Sequence, residues 1–133
     1  MRDPAPTPHP VQHLVREVLG CTCPDEIFSQ IEFGSVPASN RRAEIKRIAV
    51  GGRLLIYLVD LKRTQQAADE LEELVRKGKA ERDLLRMNRF RLVIAAYDTG
   101  PDANCLMRLF ERISGVDEKT HLHVVDRSVL AGL

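Results

Sequence analysis

A chain of 133 residues fits one domain, long enough to bury a core that stands without a disulfide or a metal. With 44% hydrophobic and 29% charged residues the composition is that of an ordinary globular protein, and a net charge of +1 excludes the strongly basic balance of a nucleic-acid-binding domain. The longest uninterrupted apolar runs, LLIYLV at 54–59 and LVIAAY at 92–97, fall far short of the roughly 20 residues that span a bilayer, so no membrane partner is expected.

The N-terminal MRDPAPTPHP holds four prolines and no apolar stretch, which predicts a flexible Pro-rich arm over 1–10 ahead of a single α/β domain over 11–133. It is no secretory signal, and the cysteine count of three is odd, so a reducing cytoplasm without structural disulfides is expected. Val11, Leu14, Val15, Val18 and Leu19 recur at the spacing of one helical stripe, and Gly20 supplies a stop. A second helix is predicted directly afterwards. Pro24 suits its first position and makes Cys23 the N-cap, with Thr22 a rival cap through the Thr22/Asp25 capping box. Ile27, Phe28 and Ile31 form the buried side of this helix, Gly34 ends it, and SVPASNRR at 35–42 reads as a loop.

In IKRIAV-GG-RLLIYLVD, residues 45–60, two β-rich runs flank Gly51-Gly52, the signature of a hairpin with a two-residue turn. The first run is partly polar, as an edge strand is; the second is apolar throughout, as a strand covered on both faces is. Thr64 then caps a helix with Ala67, Ala68, Leu71, Leu74 and Val75 on one side, expected to stop at Gly78 before a short helical piece through Leu84 and Leu85. Its basic residues Arg76, Lys77, Lys79 and Arg82 alternate with Glu81 and Asp83, the pattern of a solvated helix face. FRLVIAAYD at 90–98 reads as a second fully buried strand. Asp102 opens a helix with Ala103, Leu106, Met107, Phe110 and Ile113 inward, and HLHVVD at 121–126 is a last strand. The order is α-α-β-β-α-β-α-β: a three-layer α/β domain with a mixed, mostly parallel four-stranded sheet and 45–50 antiparallel at its edge.

In such a sheet, ligands favour the crevice beyond the carboxyl ends of the parallel strands. Asp60, Asp98 and Asp126 end the three apolar strands there, and the turn-rich DTGPDANC, 98–105, adds Thr99 and Cys105. These residues make a candidate pocket. Aspartates at strand ends also cap turns by accepting backbone N–H bonds, and that reading outweighs a hard-cation site such as magnesium. No GxGxxG or GxxxxGK[ST] motif is present, so no phosphate loop is expected.

The sharpest chemical feature is Cys21-Thr22-Cys23-Pro24. A thiol at a helix N-terminus lies beside unpaired N–H groups at the positive end of the dipole, which lowers its pKa. Cys23 is thereby the candidate nucleophile of thiol exchange and Cys21 its resolving partner. The same pair is a candidate clip for a thiophilic ion, zinc, iron or copper(I), with Cys105 the candidate third ligand because it falls off its helix's apolar stripe. CxC is less diagnostic than CxxC, and structural zinc favours slightly wider spacings. Two small buried cysteines at a helix corner, with no cofactor, fit the same residues equally well. His121 and His123 share one strand face, but at the end of the sheet opposite Cys105. The alternative to a thiol site is an interaction or assembly domain with structural cysteines, taking a protein partner or forming a homodimer through the edge strand 45–50.

Overall fold

The sequence predicts a sheet whose central run has no polar side, and a computed structural model shows how the chain meets that demand. It describes residues 13–15, 19–20, 30–35, 44–60, 64–96, 101–113, 117–126 and 128, with backbone alone at 44, 60, 64–70, 96 and 101–103. The strands are β1 (Ile31–Ser35), β2 (Glu44–Val50), β3 (Leu54–Asp60), β4 (Arg89–Ala96) and β5 (Thr120–Asp126). Helix α1 (Thr64–Leu84) joins β3 to β4, and α2 (Pro101–Glu111) joins β4 to β5. The protein is an α/β fold on one mixed sheet in the order β1-β2-β3-β4-β5. The pairs β1–β2 and β2–β3 are antiparallel, and β3–β4 and β4–β5 are parallel.

Two expectations are corrected here. The sheet has five strands instead of four and is evenly divided between parallel and antiparallel pairs, because Ile31–Ser35 is a strand and not the end of a second helix. Ile31 pairs with Val50 and Phe33 with Ile48, so the I-x-F alternation puts both side chains on one face. That period-2 signal overrides the short helical spacing of Ile27, Phe28 and Ile31. Strand 45–50 is therefore no edge: β1 covers one side and β3 the other, which removes the premise of a homodimer through that strand. The proline arm lies outside the described residues.

Alternation along the strands divides the core in two. One face carries Ile45, Leu55, Tyr57, Val59, Phe90, Leu92, Ile94 and Leu122, and packs against Leu71, Leu74 and Val75 of α1 and Leu106 and Phe110 of α2. The opposite face carries Ile48, Val50, Leu54, Ile56, Leu58 and Val93, covered by Leu14, Val15 and Leu19. Backbone at 13–15 is helical; the Leu19 N–H donates to the Leu14 carbonyl at 2.9 Å, and Gly20 follows at φ 69°.

The expected hairpin forms, with a loop one residue longer than two. Gly51 and Gly52 both take positive φ (60° and 66°), the Arg53 N–H donates to the Val50 carbonyl, and Val50 pairs with Leu54. The extra residue is useful, because the Arg53 carbonyl accepts the N–H groups of Asn88 and Arg89 and so starts β4 beside β3.

Helix α1 does not stop at Gly78. Its 21 residues span about 32 Å, longer than the strands beneath it, so its C-terminal turn overhangs the ends where β3 and β4 begin. The actual stop is a Schellman turn at Arg86, φ 57°: Met87 N–H donates to the Arg82 carbonyl at 2.8 Å and Arg86 N–H to the Asp83 carbonyl at 3.2 Å. Gly78 serves packing instead. A Cβ there would collide with the ring of Phe90, which is fully buried and edge-on to Tyr57, ring centroids 5.0 Å apart. The two positions therefore reverse the usual rule. Gly78→Ala, favourable by helix propensity, is expected to destabilise by about 1–3 kcal/mol through overpacking. Arg86→Gly, outside the helix at a left-handed position, is expected to stabilise by about 1 kcal/mol. Urea unfolding of both variants checks the pair of signs.

Candidate functional site

Three polar constellations are built into this fold, two on the helical side of the sheet and one on the other. On the helical side, Arg47 of β2 and Tyr57 of β3 are register partners, and both reach Glu81 of α1. Arg47 Nε donates to Oε2 and the Tyr57 hydroxyl to Oε1, each at 2.5 Å. The carboxylate thus anchors the helix to two strands at once.

One residue later, Arg82 is 4% exposed, which corrects its reading as part of a solvated face. Arg76 and Glu72, an exposed i,i+4 pair, fit that reading better. Arg82 spends all five guanidinium hydrogens. Nη1 and Nη2 donate to the two Asp117 oxygens at 3.0 and 2.8 Å, Nη1 also to Thr120 Oγ1 at 3.0 Å, and Nε and Nη2 to Asp83 Oδ1 at 3.1 and 2.9 Å. Asp117 further accepts from the Lys119 N–H and the Thr120 hydroxyl. The Arg82 guanidinium, first of these donors in effect, holds the Asp117 carboxyl well below the usual carboxylate range. This network ties the C-terminal turn of α1 to the residues that begin β5. Its members are saturated by one another, which marks it as architecture.

The third constellation lies on the face opposite the helices, where β4 and β5 begin. Arg91 and His121 are register partners and His123 pairs with Val93, so the three side chains share that face. Arg91 is 6% exposed, His121 and His123 half-buried. Arg91 Nη1 lies 3.3 Å from His123 Nε2, and His121 Nε2 lies 2.8 Å from the Glu118 carbonyl. Arginine can only donate, so His123 Nε2 accepts and its ring proton resides on Nδ1; the Glu118 carbonyl can only accept, so His121 carries a proton on Nε2. Burial, then the Arg91 charge, pushes His123 down to about 4 and lowers His121 too. Burial, then the like charge of Arg89, lowers Arg91. Arg91 Nε is buried with no hydrogen-bond partner.

Of the sequence-predicted residues, the described ones, Asp60, Cys105 and Asp126, are not gathered at one place. Asp60 and Asp126 end β3 and β5 with β4 between them, about 10 Å apart by strand spacing. Asp126 is exposed; its carboxylate accepts the Ser128 N–H at 2.9 Å and is held below the usual range by that bond, as a turn-capping aspartate is. Cys105 is an exposed free thiol on α2. Cys21, Cys23, Asp98 and Thr99 lie outside the described residues, but the flanks of the CxC stretch are placed. Leu19 is buried on the face away from α2, and the Gln30 carbonyl accepts the Gly51 N–H at 2.7 Å, at the end of the sheet where β3 begins. Both flanks thus lie away from Cys105, which sits on the helical face beyond the far end of β4. Among the described residues no group of three or more His, Cys, Asp or Glu could hold a metal ion, and no helix is long and apolar enough to cross a membrane.

Arg91 carries a signal that sequence inspection passed over: it is the one charge inside the apolar run FRLVIAA, and a charge in a strand covered on both faces needs a partner or a task. Compared with protein-family models, with curated proteins and with solved structures, the chain matches none.

Two predictions follow from these networks. Arg82→Met leaves the Asp117 carboxylate and Thr120 without their shared donor and is expected to cost about 2–3 kcal/mol by urea unfolding. Stability should also fall with acid in two stages. Between 6.5 and about 4 the unfolded chain protonates His123 more readily than the fold does, so stability declines as pH drops through that window. Asp117 has the same sign in a lower window: its contribution is complete above the ordinary carboxyl value of 3.8 and is lost below it. Unfolding midpoints from pH 8 to 3 should show His123→Gln reducing the first decline and Asp117→Asn the second.

Proposed function

We propose that the protein is a small thiol-active α/β protein, in which Cys21 and Cys23 undergo redox exchange or chelate a thiophilic ion. One observation supports this reading above the others: the residues on either side of the CxC stretch, Gly20 and Gln30, are both exposed, while the chain just before Gly20 is anchored by the buried Leu19. The described chain thus ends and resumes at exposed residues on either side of the two cysteines. The residue pattern supplies the rest. Cys23 before Pro24 has the sequence pattern of a helix N-cap, which would favour the thiolate; on this reading Cys23 attacks and Cys21, two positions away, resolves. For metal chelation, Cys105 is disfavoured as third ligand by its place on the helical face, so the pair acts without it.

A second reading, an interaction or assembly domain with structural cysteines, draws support from β1. That strand ends the sheet, its outer side faces no further described strand, and Phe33 is 58% exposed on it.

Native mass spectrometry of protein purified without chelator, before and after mild reductant, separates the two. The thiol reading expects a bound thiophilic ion, or a gain of about 2 Da on reduction that maps to the peptide containing Cys21 and Cys23, as a disulfide taking up two electrons and two protons requires. Either change should vanish in Cys21→Ser and Cys23→Ser. An unmodified monomer mass under both conditions removes the thiol reading, and an unmodified dimer mass transfers the function to assembly.

A further inference from the structure

Among the described residues two arginines are buried, and they are treated in opposite ways. Arg82 has a donor contact for every guanidinium hydrogen and two carboxylates to balance its charge. Arg91 has neither. Its one hydrogen bond goes through Nη1 to a neutral imidazole, Nε is buried and unbonded, and no described carboxylate pairs with it. The nearest charge credited with an effect on it is another cation, Arg89, exposed on the same face of the same strand. A guanidinium stays charged in any protein environment, so among the described residues the positive charge at this corner of the sheet is uncompensated.

We propose that Arg91 and His123 form a binding site for a small oxyanion, the carboxylate or phosphate group of a ligand. The donor set suits that chemistry. The Nε/Nη2 edge of arginine is the edge that grips two oxygens in parallel; here Nε is buried without a partner and the one described bond is made by Nη1, outside that edge. His123 receives Arg91 on Nε2, so its Nδ1–H points a further donor elsewhere, with no described acceptor. Arg89, exposed on the same face, deepens the positive field, and His121 and His123 beside Arg91 are only half-buried. The site is independent of the CxC proposal and does not fall with it.

The test uses the full chain at constant ionic strength, exchanging chloride for sodium phosphate in one series and sodium acetate in the other. Heteronuclear NMR follows the Arg91 Nε–H and His123 ring signals, and thermal unfolding is read in parallel. A saturable movement of both signals, with a rise in Tm, is expected for at least one anion; the tighter of the two assigns phosphate or carboxylate as the ligand class. Arg91→Lys keeps the charge, loses the fork and is expected to bind at least tenfold more weakly. Arg91→Met removes an uncompensated buried cation. It is expected to fold with a higher Tm than the parent in chloride and to show no response to either anion. Signals that fail to saturate in both series, or that move equally in Arg91→Met, overturn the proposal. So does a destabilised Arg91→Met together with a parent indifferent to both anions, because a carboxylate of the chain itself then neutralises the guanidinium.

Discussion

β3 has no side that faces water. Residues 54–59 are all buried, with β2 and β4 on either flank and a hydrophobic layer above and below. Each such side chain contributes on the order of 1.5–3 kcal/mol only if both layers are present. The sheet therefore cannot be stabilised from one face. Helices α1 and α2 supply one layer and the stretch around Leu14, Val15 and Leu19 supplies the other. The N-terminal cover is as much part of the core as the helices are.

The two faces handle buried charge differently, and the difference follows from what covers them. On the helical side, the described polar groups that cross the interface meet complementary ones. Glu81 meets Arg47 and Tyr57, and Arg82 meets Asp117 and Thr120. These contacts fix where α1 lies along the sheet, a register that apolar packing alone leaves loose. On the other side, among the described residues, Arg91 meets only a neutral ring. A protein gains nothing in stability from such an arrangement, and sites that cost stability are where function concentrates.

Much of the fold was legible because its signals were local and redundant. The Gly51-Gly52 hairpin, the apolar runs of β3 and β4, and the stripes Leu71/Leu74/Val75 and Leu106/Phe110 all repeat one message several times within a few residues. The errors share a different origin. Gly78 looked like a stop because its true role, making room for the Phe90 ring, depends on a residue twelve positions away. Ile31 and Phe33 looked helical because five residues carry too little periodicity to outvote a neighbouring pattern, and only pairing with Val50 and Ile48 decides the matter. Arg82 looked solvated because its partners Asp117 and Thr120 arrive from a distant part of the chain. For the candidate site, residue type alone pointed to the cysteines, while Arg91 needed the observation that its strand is covered on both faces.

The strand-end rule for α/β sheets also has a limit that this topology exposes. Ligands gather at carboxyl ends where the strand order reverses and neighbouring crossovers leave on opposite faces, opening a crevice between them. Here β3, β4 and β5 follow one another without reversal, and α1 and α2 pack on the same face. Among the described residues the groups placed at that end stand apart: Asp126 closes a turn, and Cys105 is exposed on its helix. The polar groups collect instead where the parallel strands begin. There α1 overhangs the sheet, Arg82 ties down the entry to β5, and Arg91 faces His121 and His123 across the β4–β5 pair. At the end where the strands begin, pairing register draws the charge together, and register places side chains to within the spacing of adjacent strands.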